Sequence, residues 1–187
     1  MLKELKKYLE SEKEDRSIFD IVIYGSAVKG KEHAKDIDIL VIFLRGTLKE
    51  RLDKLQMIKA KIKKLSDKNI DLKQILLEEL FKPAFLARTG VILEGFSVFR
   101  NMKFCQSLGF NSFTLFWYTL KDMTHSQKVK FNYLLAGRGT KGVIKELNGE
   151  RLVNGAIKIM IENSAVFEDI LKANGVKYFK KNILEEI

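Results

Sequence analysis

The stretches Tyr24-Gly25-Ser26-Ala27-Val28-Lys29-Gly30 and Asp36-Ile37-Asp38-Ile39-Leu40-Val41-Ile42-Phe43 decide the fold of the first half of this chain. The first follows directly from an apolar, β-branched run that begins at Ile18, and the second begins with two aspartates. Apolar runs of this length, bounded by turn residues, are typical of buried strands. The sequence therefore predicts a strand, a glycine-serine turn that leads into a short helix, and a second strand that carries two carboxylates.

The two aspartates of the second stretch are candidate metal ligands. Residues i and i+2 of a strand project to the same side, so Asp36 and Asp38 can share a pair of Mg²⁺ ions, which prefer hard oxygen ligands. Asp71 opens a third predicted strand, Ile70 to Leu76, and its carboxylate reaches the same pocket if that strand lies beside the second. Aspartates in turns or on solvated faces are the alternative, but a half-buried pair of carboxylates is unfavourable without a compensating charge.

The turn between the strands has the features of a phosphate site. Gly25 lets the backbone approach a phosphate closely, and the amide and hydroxyl of Ser26 at a helix start can donate hydrogen bonds to it. Lys29, one turn further along, can neutralise a β- or γ-phosphate. Glycine-serine is also a common turn pair, so the order and spacing of these residues with the aspartates carry the interpretation.

Composition sets the outer limits. The chain has 187 residues, 46% of them hydrophobic, with one cysteine, Cys105, and no apolar tract long enough to span a bilayer. A first segment rich in lysine and leucine lacks the apolar core of a secretory signal, so we expect a cytoplasmic protein without a membrane partner. The net charge of +10 favours polyanions such as nucleotides or RNA. Lysine-rich surfaces also serve solubility, so nucleic-acid binding stays open.

Several further elements follow from periodicity. Residues 2–15 predict a helix, and Thr47 with Glu50 forms a capping box before a long amphipathic helix. Leu77 to Ala87 is predicted to be helical despite Pro83, and Val91 to Phe99 is a further apolar segment that closes the first half.

The glycine-serine turn, the Lys29-Gly30 pair, the Asp36-Ile37-Asp38 strand and the later Asp71 resemble the polymerase-beta-type nucleotidyltransferase superfamily. The likeness is strongest to its small prokaryotic and archaeal members, and it covers about residues 17 to 100. It implies an α/β (α+β) fold in which a mixed sheet is flanked by helices. We therefore expect a nucleotidyltransferase domain over residues 1–100 and a second, small α/β domain over residues 101–187.

The resemblance also implies an activity. In the superfamily the glycine-serine turn, here Gly25 and Ser26, holds the triphosphate of ATP or another nucleoside triphosphate, and the paired aspartates bind two divalent metal ions. A third acidic residue, here Asp71, assists the metal site or activates the acceptor. This predicts transfer of a nucleoside monophosphate, AMP from ATP, to a hydroxyl of a protein or an RNA end, with Mg²⁺ or Mn²⁺ as cofactor. The alternative is a domain without turnover that acts as an antitoxin-like, regulatory or nucleic-acid-binding module.

The second half gives weaker signals. We expect Thr124 to cap a helix that ends at Gly137, and Asn163 or Ser164 to cap a second helix. Two strands are also predicted, one over Ala156 to Ile161 and a last one over Val176 to Phe179. The segment from Lys128 to Tyr133 interleaves basic and aromatic residues, which suits nucleic acid. A solvated helix face with Phe131 turned inward is the favoured interpretation. We also expect Trp117 and Tyr118 to be core residues.

Overall fold

A computed structural model of the chain describes residues 2–28, 36–63, 69–139 and 141–187. It divides into two compact units, Met1–Gly109 and Phe110–Ile187. The division thus falls after residue 109, whereas the sequence predicts it after residue 100. Each unit has its own sheet and its own apolar core.

A mixed sheet forms the centre of the first unit. Among the described residues it has five strands in the order β3-β2-β1-β4-β5. β2 and β3 are parallel, and the other neighbouring pairs are antiparallel. The strands are β1 (Ile18–Tyr24), β2 (Asp36–Phe43), β3 (Asn69–Leu76), β4 (Phe96–Ser97) and β5 (Met102–Lys103). The predicted strands around the glycine-serine turn are therefore present, and a short 3₁₀ turn, Gly25–Ala27, follows β1.

The helices of this unit are α1 (Leu2–Glu10), α2 (Leu48–Ile62), α3 (Arg88–Glu94) and α4 (Phe104–Ser107). The capping box predicted for α2 is confirmed: the amide of Glu50 donates to Thr47 Oγ1, and the amide of Thr47 donates to Glu50 Oε2 at 2.7 Å. Two orphan donors at the helix start are thus satisfied. α2 supplies the crossover that a parallel β2–β3 pair requires.

The helix expected over Leu77 to Ala87 is wrong. Only Leu77–Glu79 forms a 3₁₀ turn, the chain then continues through turns and bends, and α3 begins at Arg88. Pro83 explains the difference, because proline removes a backbone donor and disfavours helical geometry at the residue before it. The apolar segment from Val91 to Phe99 likewise divides into the end of α3 and the short strand β4.

Side chains cover both faces of the first sheet. Odd-numbered residues of β2, such as Ile39 and Val41, pack with Leu5, Leu9 and Ile58 of α1 and α2. Even-numbered residues of β1 and β2, such as Val22 and Leu40, pack on the other face with Leu80, Val91 and Phe104. Asp38 precedes Leu40 and Ile42 on that second face, so the candidate site lies at the edge of a buried apolar layer.

The second unit is a βαββαβ arrangement. Its elements are β6 (Phe110–Thr119), α5 (His125–Ala136), α6 (Val143–Glu146), β7 (Gly149–Val153), β8 (Ala156–Met160), α7 (Ser164–Ala173) and β9 (Lys177–Glu186). The four described strands are antiparallel and follow the order β7-β8-β6-β9. Chain order and sheet order together correspond to the ferredoxin-like motif. The small α/β character expected of this half is confirmed.

The helices of the second unit lie on one face of its sheet. Phe131 and Leu135 of α5 and Phe167 and Leu171 of α7 pack with Phe116 of β6 in one core cluster. Thr124 caps α5, and Gly137 follows its end with a φ of 83°. Asn163 precedes α7, but no side-chain hydrogen bond caps that helix, and the Asn163 amide donates to the carbonyl of Leu147 instead.

Candidate active site at the start of β2

The three predicted aspartates lie at one edge of the first sheet. Asp38 of β2 stands directly opposite Asp71 of β3, and Asp36 stands opposite Asn69. Register partners on neighbouring strands project to the same side, and such strands lie about 4.8 Å apart. Asp36, Asp38 and Asp71 therefore share one face, as the spacing predicted, with Asp36 exposed and the other two partly buried.

The glycine-serine turn lies against Asp38. Tyr24, the last residue of β1, pairs with Asp38 across the antiparallel ladder, and Gly25 follows with a φ of +76°. A Cβ atom on Gly25 would come within 2.3 Å of Asp38 Oδ2 and would displace that carboxylate, and the positive φ itself favours glycine at this turn. Ser26 is partly buried beside it. The structure thus brings Gly25, Ser26 and the aspartates together.

The electrostatic environment of Asp38 disfavours its charge. Burial raises the pKa of Asp38, the nearby carboxylates of Asp71 and Asp36 raise it further, and the ammonium of Lys73 opposes them. A carboxyl group beside two others without full compensation is a common property of cation and catalytic sites.

Two residues of this site were not predicted. Lys73 Nζ forms an ion pair with Asp71 Oδ2 at 2.8 Å, and this bond raises the pKa of Lys73. Tyr24 is 7% exposed, and its hydroxyl has no hydrogen-bond partner among the described residues. Burial raises the pKa of Tyr24, against the effect of Lys73. For Lys73, strand alternation could have supplied the prediction, because this residue follows Asp71 by two positions and so lies on the same face of the strand.

Two of the three aspartates already have protein partners. The side-chain amide of Asn69 donates to Asp36 Oδ1 at 3.1 Å, and Lys73 neutralises Asp71. Within the described ranges, no three acidic, histidine or cysteine side chains are grouped as a ready metal site. The donor set itself, carboxylate oxygens on adjacent strands, suits Mg²⁺ or Mn²⁺. Lys29, the remaining candidate phosphate ligand, lies outside the described residues.

A cavity of about 580 Å³ lies elsewhere, at the opposite end of β2 near Phe43. Two of its charged lining residues, Asp15 and Lys54, are bonded to each other. Burial opposes ionisation of Asp15, but hydrogen bonds from Lys54 and Ser17 lower the pKa of Asp15 to about 2. Lys54 Nζ also contacts Glu12 at 2.7 Å. This cavity lies away from the glycine-serine turn and the predicted aspartates.

The aromatic residues of the second unit divide into two groups. Phe131 is 2% exposed and packs inward, which confirms the favoured interpretation of its helix. Tyr118 packs edge-on against Phe131, with ring centroids 5.9 Å apart, as expected of a core residue. Trp117 was expected in the core as well, and this is wrong: it is 43% exposed. Adjacent strand residues project to opposite faces, so only Tyr118 reaches the helices.

The first half of the chain is similar to a known protein family. Residues 2–93 match the family model described as a nucleotidyltransferase domain. The chain has no significant match among curated proteins. In the described part of the chain, no helix is both long and apolar enough to cross a membrane.

Proposed function

The N-terminal unit belongs to the nucleotidyltransferase domain family, of the polymerase-beta type, and on this premise we propose that the chain transfers AMP from ATP to a hydroxyl acceptor. One observation is the main support for this proposal. The β2–β3 register sets Asp38 beside Asp71, directly against the turn at Gly25. Carboxylates next to a phosphate-binding turn are the parts that nucleotidyl transfer needs.

Asp36, Asp38 and Asp71 are the residues that would hold two Mg²⁺ ions, with Mn²⁺ as a substitute. When bound, the ions would offset the negative charge of the triphosphate and of the transition state. To bind the ions, Asp36 would first release Asn69, and Asp71 would release Lys73. The raised pKa of Asp38 indicates that its charged form is destabilised, and a nearby cation would stabilise that form.

The chain's own residues supply binding and proton transfer. The backbone at Gly25 and the amide and hydroxyl of Ser26 would bind the triphosphate, with Lys29 neutralising its outer phosphates. The acceptor oxygen forms a bond to the α-phosphorus as the bond to the bridging oxygen breaks, and pyrophosphate leaves with that electron pair. Asp71 would take the proton of the acceptor hydroxyl. A protein hydroxyl and an RNA end are both suitable acceptors.

The test is transfer from ATP labelled at its α-phosphate, with Mg²⁺ and candidate protein and RNA acceptors. We expect a labelled product that Asp38→Asn abolishes and that Asp53→Asn leaves unchanged, because Asp53 is exposed on α2. Equal yields from Asp38→Asn and the unchanged protein would refute the assignment.

The Asp71–Lys73 ion pair favours a second candidate function. A site that neutralises one of its carboxylates internally suits a domain that has lost turnover and acts as a regulatory or antitoxin-like module. Calorimetry distinguishes the two. ATP binding that requires Mg²⁺ supports the enzyme, whereas no nucleotide binding together with tight association to a partner protein supports the module.

A further inference from the structure

The second unit has a sheet face that its helices do not cover. We call it the open sheet face. Trp117 of β6 and Phe179 of β9 stand directly opposite each other on it, and they are 43% and 81% exposed. Their neighbours in sequence, Phe116 and Tyr178, point the other way and pack in the core with ring centroids 6.0 Å apart. Strand alternation therefore fixes both exposed rings on the face away from the helices.

The two rings form one surface. Side chains directly opposite on antiparallel strands have Cβ atoms about 5 Å apart. A tryptophan and a phenylalanine side by side in water are unfavourable for an isolated domain, and exposed aromatic patches mark interaction sites. The face continues at its rim with Val153, which is 64% exposed.

Two lysines of β9 flank these rings. Lys177 and Lys181 lie two residues to either side of Phe179 on the same strand, so they project to the same face. Lys177 is bonded to Asp122 at 2.8 Å, in a pair that is exposed on both sides, whereas Lys181 is exposed and has no ion-pair partner among the described residues. Two acidic residues of this face, Glu150 and Glu185, share the single ammonium group of Lys158, at 3.0 and 2.6 Å, so that group of three keeps one negative charge, away from Lys181.

We propose that the open sheet face binds single-stranded RNA, with bases stacked on Trp117 and Phe179 and phosphates held by Lys181 and Lys177. Aromatic rings supply base stacking and lysines supply phosphate contacts in single-strand binding sites. A four-stranded sheet with exposed aromatics is also the stacking surface of the RNA recognition motif. The proposal goes beyond nucleotidyl transfer and requires neither ATP nor a metal ion.

A second copy of the chain fits this face less well. In a two-fold dimer the same patch meets itself, so the lysines around one aromatic pair would approach those of the other. Like charges brought together and desolvated oppose such an interface. An RNA strand satisfies the rings and the lysines at once.

The chain offers an internal probe, because Trp117 is its single tryptophan. Oligouridylate and oligoadenylate RNA should quench its fluorescence, and fluorescence anisotropy of the labelled RNA gives the affinity. We expect Phe179→Ala to weaken binding by about 5- to 150-fold, the range typical of one stacked base. Lys181→Ala should lower the slope of log affinity against log salt by about one phosphate contact.

Tyr133→Ala is the matched control. Tyr133 is an exposed aromatic on α5 beside a cation, with Arg138 at 5.0 Å from its ring, and it belongs to the alternative basic-aromatic segment. We expect its substitution to leave RNA affinity unchanged. Unchanged affinity in Phe179→Ala, loss in Tyr133→Ala, tighter binding of DNA of the same sequence, or a change of oligomeric state without RNA binding would each overturn the proposal. All measurements omit ATP and Mg²⁺, so failure of the transfer assay has no bearing on them.

Discussion

Asp38 and Asp71 are register partners on the parallel strands β2 and β3, at the edge of an apolar layer. Carboxylates on adjacent strands repel each other, and partial burial weakens the hydration that would offset the repulsion. Lys73 compensates part of this charge through Asp71. The arrangement of these two carboxylates is unfavourable for the stability of the fold.

The first prediction follows from this strain. Asp38→Asn should stabilise the ligand-free protein at pH 7, by less than about 1 kcal/mol because solvent reaches the site and screens the repulsion. The measurement is the free energy of unfolding in urea. Asp36→Asn is the control, since Asp36 is exposed, and it should change stability by no more than about 0.5 kcal/mol.

The effect of pH on this variant has a definite sign. The folded protein raises the pKa of Asp38 above 3.8, so the folded state binds its proton more tightly than the unfolded state. Stability then falls as pH rises from the unfolded pKa through the folded one. The advantage of Asp38→Asn should therefore be present at neutral pH and disappear below about pH 3.8. An advantage that grows in acid would contradict this.

The second prediction concerns the turn at Gly25. In Gly25→Ala the new side chain would combine a positive φ with a contact of 2.3 Å to Asp38, so we expect the free energy of unfolding to fall by about 2 kcal/mol or more. We also expect this variant to lose ATP binding. Gly109→Ala in the same unit separates the two causes. Gly109 has a φ of +87° but nothing within 4 Å of its Cβ position, so it should lose only about 1 kcal/mol. Equal losses would show that Asp38 does not crowd the turn.

Local sequence is sufficient where a pattern of residues determines a pattern of burial. The apolar run from Ile18, the Asp36–Asp38 spacing and the capping box at Thr47 each specify their element through nearby residues. β7 and the full length of β9 cannot be predicted in this way. β9 extends over Lys177–Glu186 because it pairs with β6 along its full length, although it contains few apolar residues. Such strands depend on a partner that is distant in sequence.

The candidate site is predictable to a similar extent. Strand alternation and residue spacing are sufficient to predict that Asp38 and Asp71 share one face, provided that their strands are neighbours. The ion pair of Lys73 with Asp71 lies within β3, so the spacing of two residues could have predicted it. The buried hydroxyl of Tyr24 depends on which strands are neighbours, and local sequence does not determine that. Trp117 is wrongly expected in the core because hydrophobicity alone does not distinguish the two faces of a sheet.

The third prediction tests the internal counterion. Lys73→Met removes the partner of Asp71, so the ligand-free protein should lose up to about 1 kcal/mol, while Mg²⁺ should raise its melting temperature more than that of the unchanged protein. Lys82→Met is the control, because Lys82 is similarly exposed and, among the described residues, forms its ion pair with Glu78, at 3.7 Å. If Mg²⁺ left the melting temperature of Lys73→Met unchanged, this result would argue against a cation at this edge of the sheet.

The fourth prediction concerns a buried aspartate outside the site. Asp20 is fully buried and accepts hydrogen bonds from Ser97 Oγ at 2.6 Å and from Arg100 Nη1 at 2.7 Å. Asp20→Ala leaves these donors unsatisfied, so we expect a loss of about 2–4 kcal/mol in denaturant unfolding. Asp20→Asn retains one acceptor oxygen and should lose less. A smaller loss for alanine than for asparagine would mean that the network contributes little to the fold.

The fifth prediction concerns the acid stability of the second unit. Bonds from Lys180, Tyr178 and Lys172 lower the pKa of Glu168 to about 2. Because the folded pKa is depressed, this stabilisation is fully present above the unfolded pKa of about 4.5 and is lost as pH falls towards 2. Glu168→Gln should therefore lose about 1 kcal/mol at pH 7, and the difference from the unchanged protein should vanish near pH 2. Asp169→Asn is the control, because Asp169 is exposed on the same helix, and its stability should equal that of the unchanged protein at pH 7. If the difference between Glu168→Gln and the unchanged protein persisted at pH 2, packing rather than charge would explain the effect.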